Sequence, residues 1–255
     1  MKLRTVKAMR YVTPLREGGS LPAIVEGDDD GLYVLKFRGA GQGRKALVAE
    51  LVAGELGRAL GLRVPEIVFV ELDADLARTE PDPEIQELVR ASGGLNLALD
   101  YLPGSITFDT LIERPSAALA SRIVWFDAFA ANVDRTPRNA NMLWWHKELW
   151  LIDHGAALFY HHNWEKFAEN AGNPFRQIKD HLLLPFAAEI ERADAESCAR
   201  LTPEALAAIV GLIPDEWLED APRERAVYLE FLTARLAGSR NFVEEALDAG
   251  RNLRV

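Results

Sequence analysis

Four side chains that could bind a metal ion or accept a proton lie in one short polar stretch. Asp134 follows an apolar segment, Asn139 and Asn141 come five and seven residues later, and Asp153 comes twelve residues after Asn141. Two strand-like apolar segments separate the asparagines from Asp153, which predicts a β-hairpin that returns the chain to its starting end. We therefore expect two carboxylates and an amide to converge.

Such a set of side chains suits phosphoryl transfer. The transition state of this reaction needs positioning and charge neutralisation more than covalent chemistry. One aspartate would orient the acceptor hydroxyl and accept its proton. The other aspartate and an asparagine would offer the hard oxygen ligands that Mg²⁺ prefers when it bridges nucleotide phosphates.

A cation for the phosphates is predicted at Lys36. It stands in the strand-like segment YVLKF, where alternation puts it on the face opposite Leu35 and Phe37. A lysine in an apolar strand needs an anionic partner, and Glu50 on the following helix could hold it. The alternative interpretation is a lysine at the edge of a sheet, whose ammonium group reaches water.

These residues must be positioned by strands in the first hundred residues and by helices after them. Turn residues separate consecutive segments that predict an antiparallel sheet with one long helix and one short helix. The predicted strands are 10–15, 21–26, 32–37, 67–72 and 95–102, and the predicted helices are 47–60 and 84–90. A long apolar helix at 116–132, the hairpin and helices from about residue 163 follow. We expect an α+β protein with two lobes, residues 1–102 and 103–255, and a ligand cleft between them.

The composition excludes several classes of protein. With 49% hydrophobic and 27% charged residues the chain should fold as a globular protein, and its net charge of −10 argues against a broad nucleic-acid-binding surface. A single cysteine, Cys198, excludes an internal disulfide framework and a Cys-rich zinc site, and we expect it to be a buried helix residue. No apolar segment is long enough for a membrane span or a signal peptide, so a cytoplasmic protein is expected.

The order of these residues resembles the protein-kinase-like fold, and more closely the HipA-like kinases and their relatives, the phosphatidylinositol kinases. The resemblance is carried by Lys36 in a strand, Glu50 in the next helix, DRxxxN from Asp134 to Asn139, and the triplet Asp153-His154-Gly155. It implies ATP and Mg²⁺ as cofactors and a protein substrate. It also implies that Lys36 contacts the α- and β-phosphates, that Asp134 is the catalytic aspartate and that Asp153 is the main Mg²⁺ ligand.

The resemblance leaves the metal-binding asparagine open. Asn139 has the family spacing from Asp134, but the apolar strand that should follow this asparagine begins after Asn141. Both therefore remain candidate ligands. The chain also departs from ordinary protein kinases, because Asn132-Val133 stands where H-R should precede the aspartate and His154 replaces the phenylalanine of D-F-G.

Further positions follow from the same resemblance. Gly18, Gly19 and Ser20 could form a hairpin whose backbone N–H groups cover the phosphates, and Asp100, Tyr101 and Leu102 are the candidates for main-chain contact with adenine. Asp127, on the apolar helix, is interpreted as a buried anchor for the catalytic loop. Arg135 could pair with the Asp153 region, bind an acceptor phosphate, or face water.

The expected function is therefore a kinase that transfers the γ-phosphoryl group of ATP to a hydroxyl group. A protein serine or threonine is favoured as the acceptor, because HipA-like kinases act on proteins. A lipid kinase, a small-molecule kinase and a nucleotide-binding pseudokinase that acts as an interaction module are the alternatives.

Overall fold

A computed structural model of the chain describes residues 2–15 and 21–253. Five strands of its first part form one sheet in the order β1-β2-β3-β5-β4. They are β1 (Thr5–Pro14), β2 (Ala23–Gly27), β3 (Leu32–Lys36), β4 (Ile67–Leu72) and β5 (Gly94–Asp100). The predicted glycine hairpin at Gly18, Gly19 and Ser20 lies outside the described residues.

The sheet closes into a barrel, and this corrects the prediction of a purely antiparallel sheet. Strand β1 pairs in antiparallel fashion with β2 and in parallel fashion with β4, where Val6 lies opposite Val70. The strand also begins at Thr5, five residues before its predicted start at residue 10. Val6 and Ala8 are buried while Lys7 between them is exposed, so the early part of β1 has the period-2 pattern of a half-buried strand.

Helix α1 (Arg44–Ala59) lies on the outside of the barrel against β4 and β5. Every residue from 47 to 57 is buried, as expected for a helix surrounded by protein. Gly54 permits the close approach, because a Cβ atom there would lie 2.4 Å from the Cδ1 atom of Ile67. The leucines of α1 belong to the same hydrophobic core as the helices that follow the barrel.

The second part of the chain is mainly helical. Its helices, after α2 (Pro83–Ala91), are α3 (Ala117–Ala130), α4 (Ile190–Arg200), α5 (Pro203–Val210), α6 (Ala221–Ala237) and α7 (Ser239–Asn252). A small sheet holds β6 (Ile106–Thr107), β7 (Met142–Trp145) and β8 (Glu148–Leu151) in that order. Within the described residues, no helix combines the length and the apolar character needed to cross a membrane.

Two expectations for the second part are wrong. Residues 159–186 form short 3-10 turns where regular helix was predicted from residue 163. Pro174 and Pro185 interrupt the backbone hydrogen bonding that a regular helix would need in the second half of this segment. Cys198 lies on a helix as expected, but it is half-buried. Its Sγ atom lies 3.5 Å from Asp194 Oδ1.

A fully buried arginine fixes the end of α3. Arg235 of α6 donates hydrogen bonds to the carbonyl oxygens of Ala128 and Phe129, at the end of α3, and of Ala171 and Asn173. Burial lowers the pKa of Arg235 to about 10, which leaves it charged at neutral pH. Since the carbonyl groups at a helix end have no partner within the helix, this side chain holds the point at which the loop that carries Asp134 begins.

We predict that Arg235→Met lowers the free energy of unfolding by about 3 kcal/mol or more, because it leaves several buried carbonyl groups without a donor. Urea denaturation followed by far-UV circular dichroism measures the change. Arg240→Met is the matched control, since Arg240 makes exposed ion pairs with Glu244 and Glu191. An equal, small change in both variants would contradict the role given to Arg235.

Candidate active site

Lys36, the last residue of β3, forms a buried ion pair at the centre of the site. Its Nζ atom lies 2.6 Å from Asp153 Oδ1 and 3.7 Å from Glu50 Oε2. Strand β3 is paired on both sides, with β2 and β5, so the alternative of a lysine at a sheet edge is wrong. Burial acts to lower the pKa of Lys36, but the charges of Glu50 and Asp153 outweigh it and raise the pKa above its usual value.

Glu50 connects this lysine to the triplet that begins at Asp153. Its Oε1 atom lies 3.2 Å from Nδ1 of His154, which is fully buried and packs edge-on against Phe126. Burial acts to raise the pKa of Glu50, but the Lys36 charge and the His154 hydrogen bond hold it at about 2. His154, in the position of the phenylalanine of D-F-G, therefore ties the triplet to α1 through a polar contact.

Asp134 accepts hydrogen bonds from both candidate asparagines. Its Oδ2 atom lies 2.8 Å from Asn139 Nδ2 and 3.2 Å from Asn141 Nδ2. Asn139 is exposed at the end of a tight turn that starts at Thr136, whereas Asn141 is buried. With both amide nitrogens directed at Asp134, neither side-chain oxygen accepts a hydrogen bond from a described residue.

The hairpin of β7 and β8 brings Asn141 next to the triplet that begins at Asp153. The backbone N–H of Ile152 donates to the Asn141 carbonyl at 3.0 Å, so Asn141 lies opposite the residue that precedes Asp153. Both Asn141 and Asp153 have positive φ angles, +47° and +54°, in the left-handed region that Asn and Asp tolerate best after glycine. The side chain of Asp153 is 36% exposed, and Asp153 lines two adjacent cavities.

Asp127 is a buried anchor, as predicted, and it holds the loop that carries Asp134. Asp127 on α3 is fully buried and accepts hydrogen bonds from Arg135 Nε at 2.6 Å and from Asn132 Nδ2 at 2.9 Å. Burial acts to raise the pKa of Asp127, but the Arg135 charge and a hydrogen bond from His181 hold it well below the usual range. Of the three interpretations of Arg135 none is correct: it is 1% exposed and faces inward, toward Asp127 and the Asn141 carbonyl.

His181 contacts the same anchor, Asp127, from the segment that follows the triplet Asp153-His154-Gly155. Its Nδ1 atom accepts the backbone N–H of Leu183 at 3.0 Å, so the ring hydrogen lies on Nε2 and is donated to Asp127 at 2.9 Å. Neither His181 nor Asn132 was predicted from the sequence. A histidine more than fifty residues from its partner carries no local pattern that would reveal the contact.

A strand-side cavity of about 380 Å³ lies on one side of Lys36. Its lining is largely apolar and comes from strands β3, β5, β7 and the connection after β5; it includes Val34, Lys36, Leu99, Asp100, Tyr101, Leu102, Asn139, Asn141, Leu143, Ile152 and Asp153. The backbone N–H groups of Asp100 and Tyr101 already donate to the carbonyls of Glu66 and Leu32. Among the predicted adenine contacts, Leu102 therefore keeps the N–H group with no acceptor in the described part of the chain.

A loop-side cavity of about 330 Å³ continues from the first, and the two share Lys36, Asn139 and Asp153 in their linings. The loop between β3 and α1, residues 37–43, covers it together with Glu50, Asp134 and Gly155. This loop was not predicted to face the site. The signal in the sequence that could have indicated this position is a pair of glycines just before a helix, because such a loop can bring its backbone close to phosphates. In the structure, Gly41 and Gly43 have φ angles of +51° and +65°.

The sequence profile of the family described as HipA-like kinase matches residues 9–242. This chain belongs to the HipA-like kinase family. No curated protein matches it. The family assignment confirms the resemblance drawn from Lys36, Asp134 and Asp153, and with it the expectation of a kinase-type phosphotransferase.

Three solved structures show that this HipA-like kinase has a kinase fold. The Helicobacter pylori proinflammatory kinase CtkA is 13% identical with a TM-score of 0.55, and the match covers 98% of this chain and 99% of that one. The Golgi casein kinase is 11% identical with a TM-score of 0.54, covering 100% of this chain and 75% of that one. The Golgi casein kinase with Mn/ADP bound is 12% identical with a TM-score of 0.52, covering 98% and 74%.

We predict that Arg135→Met lowers the free energy of unfolding by about 3 to 5 kcal/mol, since it leaves the Asp127 carboxylate buried without its cation. Arg138→Met is the control. Arg138 lies in the same loop, is exposed and forms no ion pair with a described residue, so its loss should change the free energy of unfolding by about 0.5 kcal/mol or less. Chemical denaturation of both variants measures the difference, and two equal values would contradict the anchor.

Proposed function

We propose that this HipA-like kinase transfers the γ-phosphoryl group of ATP to a serine or threonine hydroxyl of a protein, with Mg²⁺ as the metal. One observation carries the proposal: a charged, buried lysine paired with Asp153 lies in a single cleft with Asp134. In this proposal the barrel and the helical part act as two lobes, residues 1–102 and 103–255, with the two joined cavities between them.

The strand-side cavity suits the base and sugar of ATP. Its apolar walls fit a flat ring, and the free N–H group of Leu102 offers the hydrogen bond that would hold it in the plane. The phosphates would then extend past Lys36 toward the loop-side cavity. Lys36 would share its ammonium group between Asp153 and the phosphate oxygens, which keeps the buried charge compensated in both states.

The oxygen ligands of the site fit Mg²⁺. Asp153 offers a partly exposed carboxylate, and Asn141 and Asn139 each offer a side-chain oxygen that accepts no bond from a described residue. Within residues 2–15 and 21–253 no three His, Cys, Asp or Glu side chains gather around one point, so phosphate oxygens and water would complete the coordination. When bound, Mg²⁺ supplies neutralisation of the charge on the phosphate oxygens.

Asp134 is the proposed catalytic aspartate. Two asparagine amides hold its Oδ2 atom in place, and the carboxylate borders the loop-side cavity in which the acceptor hydroxyl would lie. The acceptor oxygen forms a bond to the γ-phosphorus while the bond from that phosphorus to the β-phosphate oxygen breaks. The hydroxyl proton passes to Asp134.

The family and its structural neighbours support a protein acceptor and the use of a nucleotide with a divalent metal. One neighbour is named a casein kinase, and its structure was solved with Mn/ADP bound. The choice of serine or threonine as the acceptor, and of Mg²⁺ as the metal, is part of the proposal.

We predict that Asp153→Ala abolishes Mg²⁺-dependent thermal stabilisation by ATP. Asp134→Ala should retain this stabilisation but lower phosphoryl transfer by about a hundredfold or more, because the proton acceptor is lost while Asp153, the proposed main metal ligand, is kept. Transfer is measured with γ-³²P-ATP, to the protein itself and to proteins of a cell lysate. Full activity of Asp134→Ala would refute its role, and nucleotide binding without any transfer by the wild type would favour an interaction module.

We also predict that Asn141→Ala weakens Mg²⁺-dependent ATP binding by about tenfold or more, and more than Asn139→Ala does. Asn141 is buried and fixed opposite Ile152, whereas Asn139 is exposed on its turn. Isothermal titration of ATP with and without Mg²⁺ measures both variants. The reverse ranking would transfer the metal-binding role to Asn139.

A further inference from the structure

A separate groove of about 540 Å³ lies beside the catalytic loop and shares no lining residue with the two cavities of the cleft. Thr136, Pro137 and Arg138 line it from the catalytic turn, and residues 179–182 line it from the segment that carries His181. The next residue of the turn, Asn139, donates to Asp134. One turn therefore borders both the catalytic cleft and this groove.

Two unpaired cations give the groove a positive charge. Arg138 and Lys179 are exposed, and neither forms an ion pair or a side-chain hydrogen bond with a described residue. His181 is directed into the interior, where its Nε2 atom donates to Asp127. Asp180 is the only carboxylate among the described lining residues, so two cations and one anion leave a net charge of +1. The chain as a whole carries −10.

The groove lies within reach of a polypeptide that presents its hydroxyl group to Asp134. An extended chain advances about 3.4 Å per residue, so residues two to four positions from the acceptor extend roughly 7 to 14 Å from it. Arg138 is four residues from Asp134 on a turn that folds back to it. Pro137, Leu182 and Pro185 supply an apolar surface between the charges.

We propose that this groove binds acidic residues that flank the acceptor serine or threonine, with Arg138 and Lys179 as specificity-determining residues. The inference rests on the proposed function and adds a substrate class to it. Two acidic residues of a short peptide could each pair with one of the two cations, Arg138 and Lys179. A nucleic acid would need a longer row of cations along its phosphates, and the acid at Asp180 interrupts such a row.

The test is a positional-scanning library of serine and threonine peptides, phosphorylated by the wild type and by the double variant Arg138→Glu/Lys179→Glu. We expect the wild type to select Asp or Glu within about four residues of the acceptor. Charge reversal should lower kcat/KM for acidic peptides about tenfold or more, since it turns two attractions into repulsions, and should favour Lys or Arg at the same positions.

The control is Lys147→Glu/Arg223→Glu, which makes the same change of charge at two exposed residues outside the groove. It should keep the wild-type preference. Equal Mg²⁺-ATP thermal stabilisation in all three proteins verifies that the nucleotide site is intact. Peptide phosphorylation with no acidic preference, or a preference that survives the double reversal, would overturn the inference and leave the proposed function standing. Absence of any peptide phosphorylation by a wild type that binds Mg²⁺-ATP would overturn the protein acceptor and this inference together.

Discussion

An ammonium group stays charged inside a protein only when anions replace the water it has lost, and Lys36 depends on two of them. Its partners come from α1 and from Asp153, the second residue after β8, so β3, α1 and the end of the hairpin must meet at one point. Removing either carboxylate would leave the buried ammonium group with one anion in place of two. The barrel, α1 and the hairpin are thus held together at the place where the chemistry is proposed to occur.

The same charges bear on the choice of ligand. Lys36 contributes one positive charge to the lining of the loop-side cavity, while Glu50, Asp134 and Asp153 contribute three negative charges, which gives that lining a net charge of −2. A triphosphate without a metal ion would be repelled by these negative charges. A divalent cation bound together with it would offset the charges of both, and the Asp153 carboxylate and the asparagine side-chain oxygens could be its ligands. Metal dependence is therefore what the charges of the cleft favour.

Much of this site could be predicted from the sequence, because its strongest signals are local. A lysine in an apolar strand needs a partner, and two short strands between Asn141 and Asp153 imply a hairpin with both ends together. The closure of the barrel depends on a parallel pairing between β1 and β4, and the contact of His181 with Asp127 joins residues 54 positions apart. Neither leaves a periodic trace in the sequence, because both are decided by packing between distant segments. By contrast, Pro174 and Pro185 are visible in the sequence and already argue against regular helix in the second half of residues 159–186.

Arg135 and Arg138 show how one loop serves two purposes. The two side chains are of the same type and lie three residues apart, yet Arg135 is buried on Asp127 while Arg138 faces the groove without a partner in the described structure. The inward residue is constrained, because replacing it would leave an unpaired carboxylate in the interior. Replacing Arg138, which is exposed, leaves no buried charge without a partner. The position of Asp134 can therefore stay fixed while the side chains that would meet an acceptor change, which separates the chemistry of the loop from the choice of substrate.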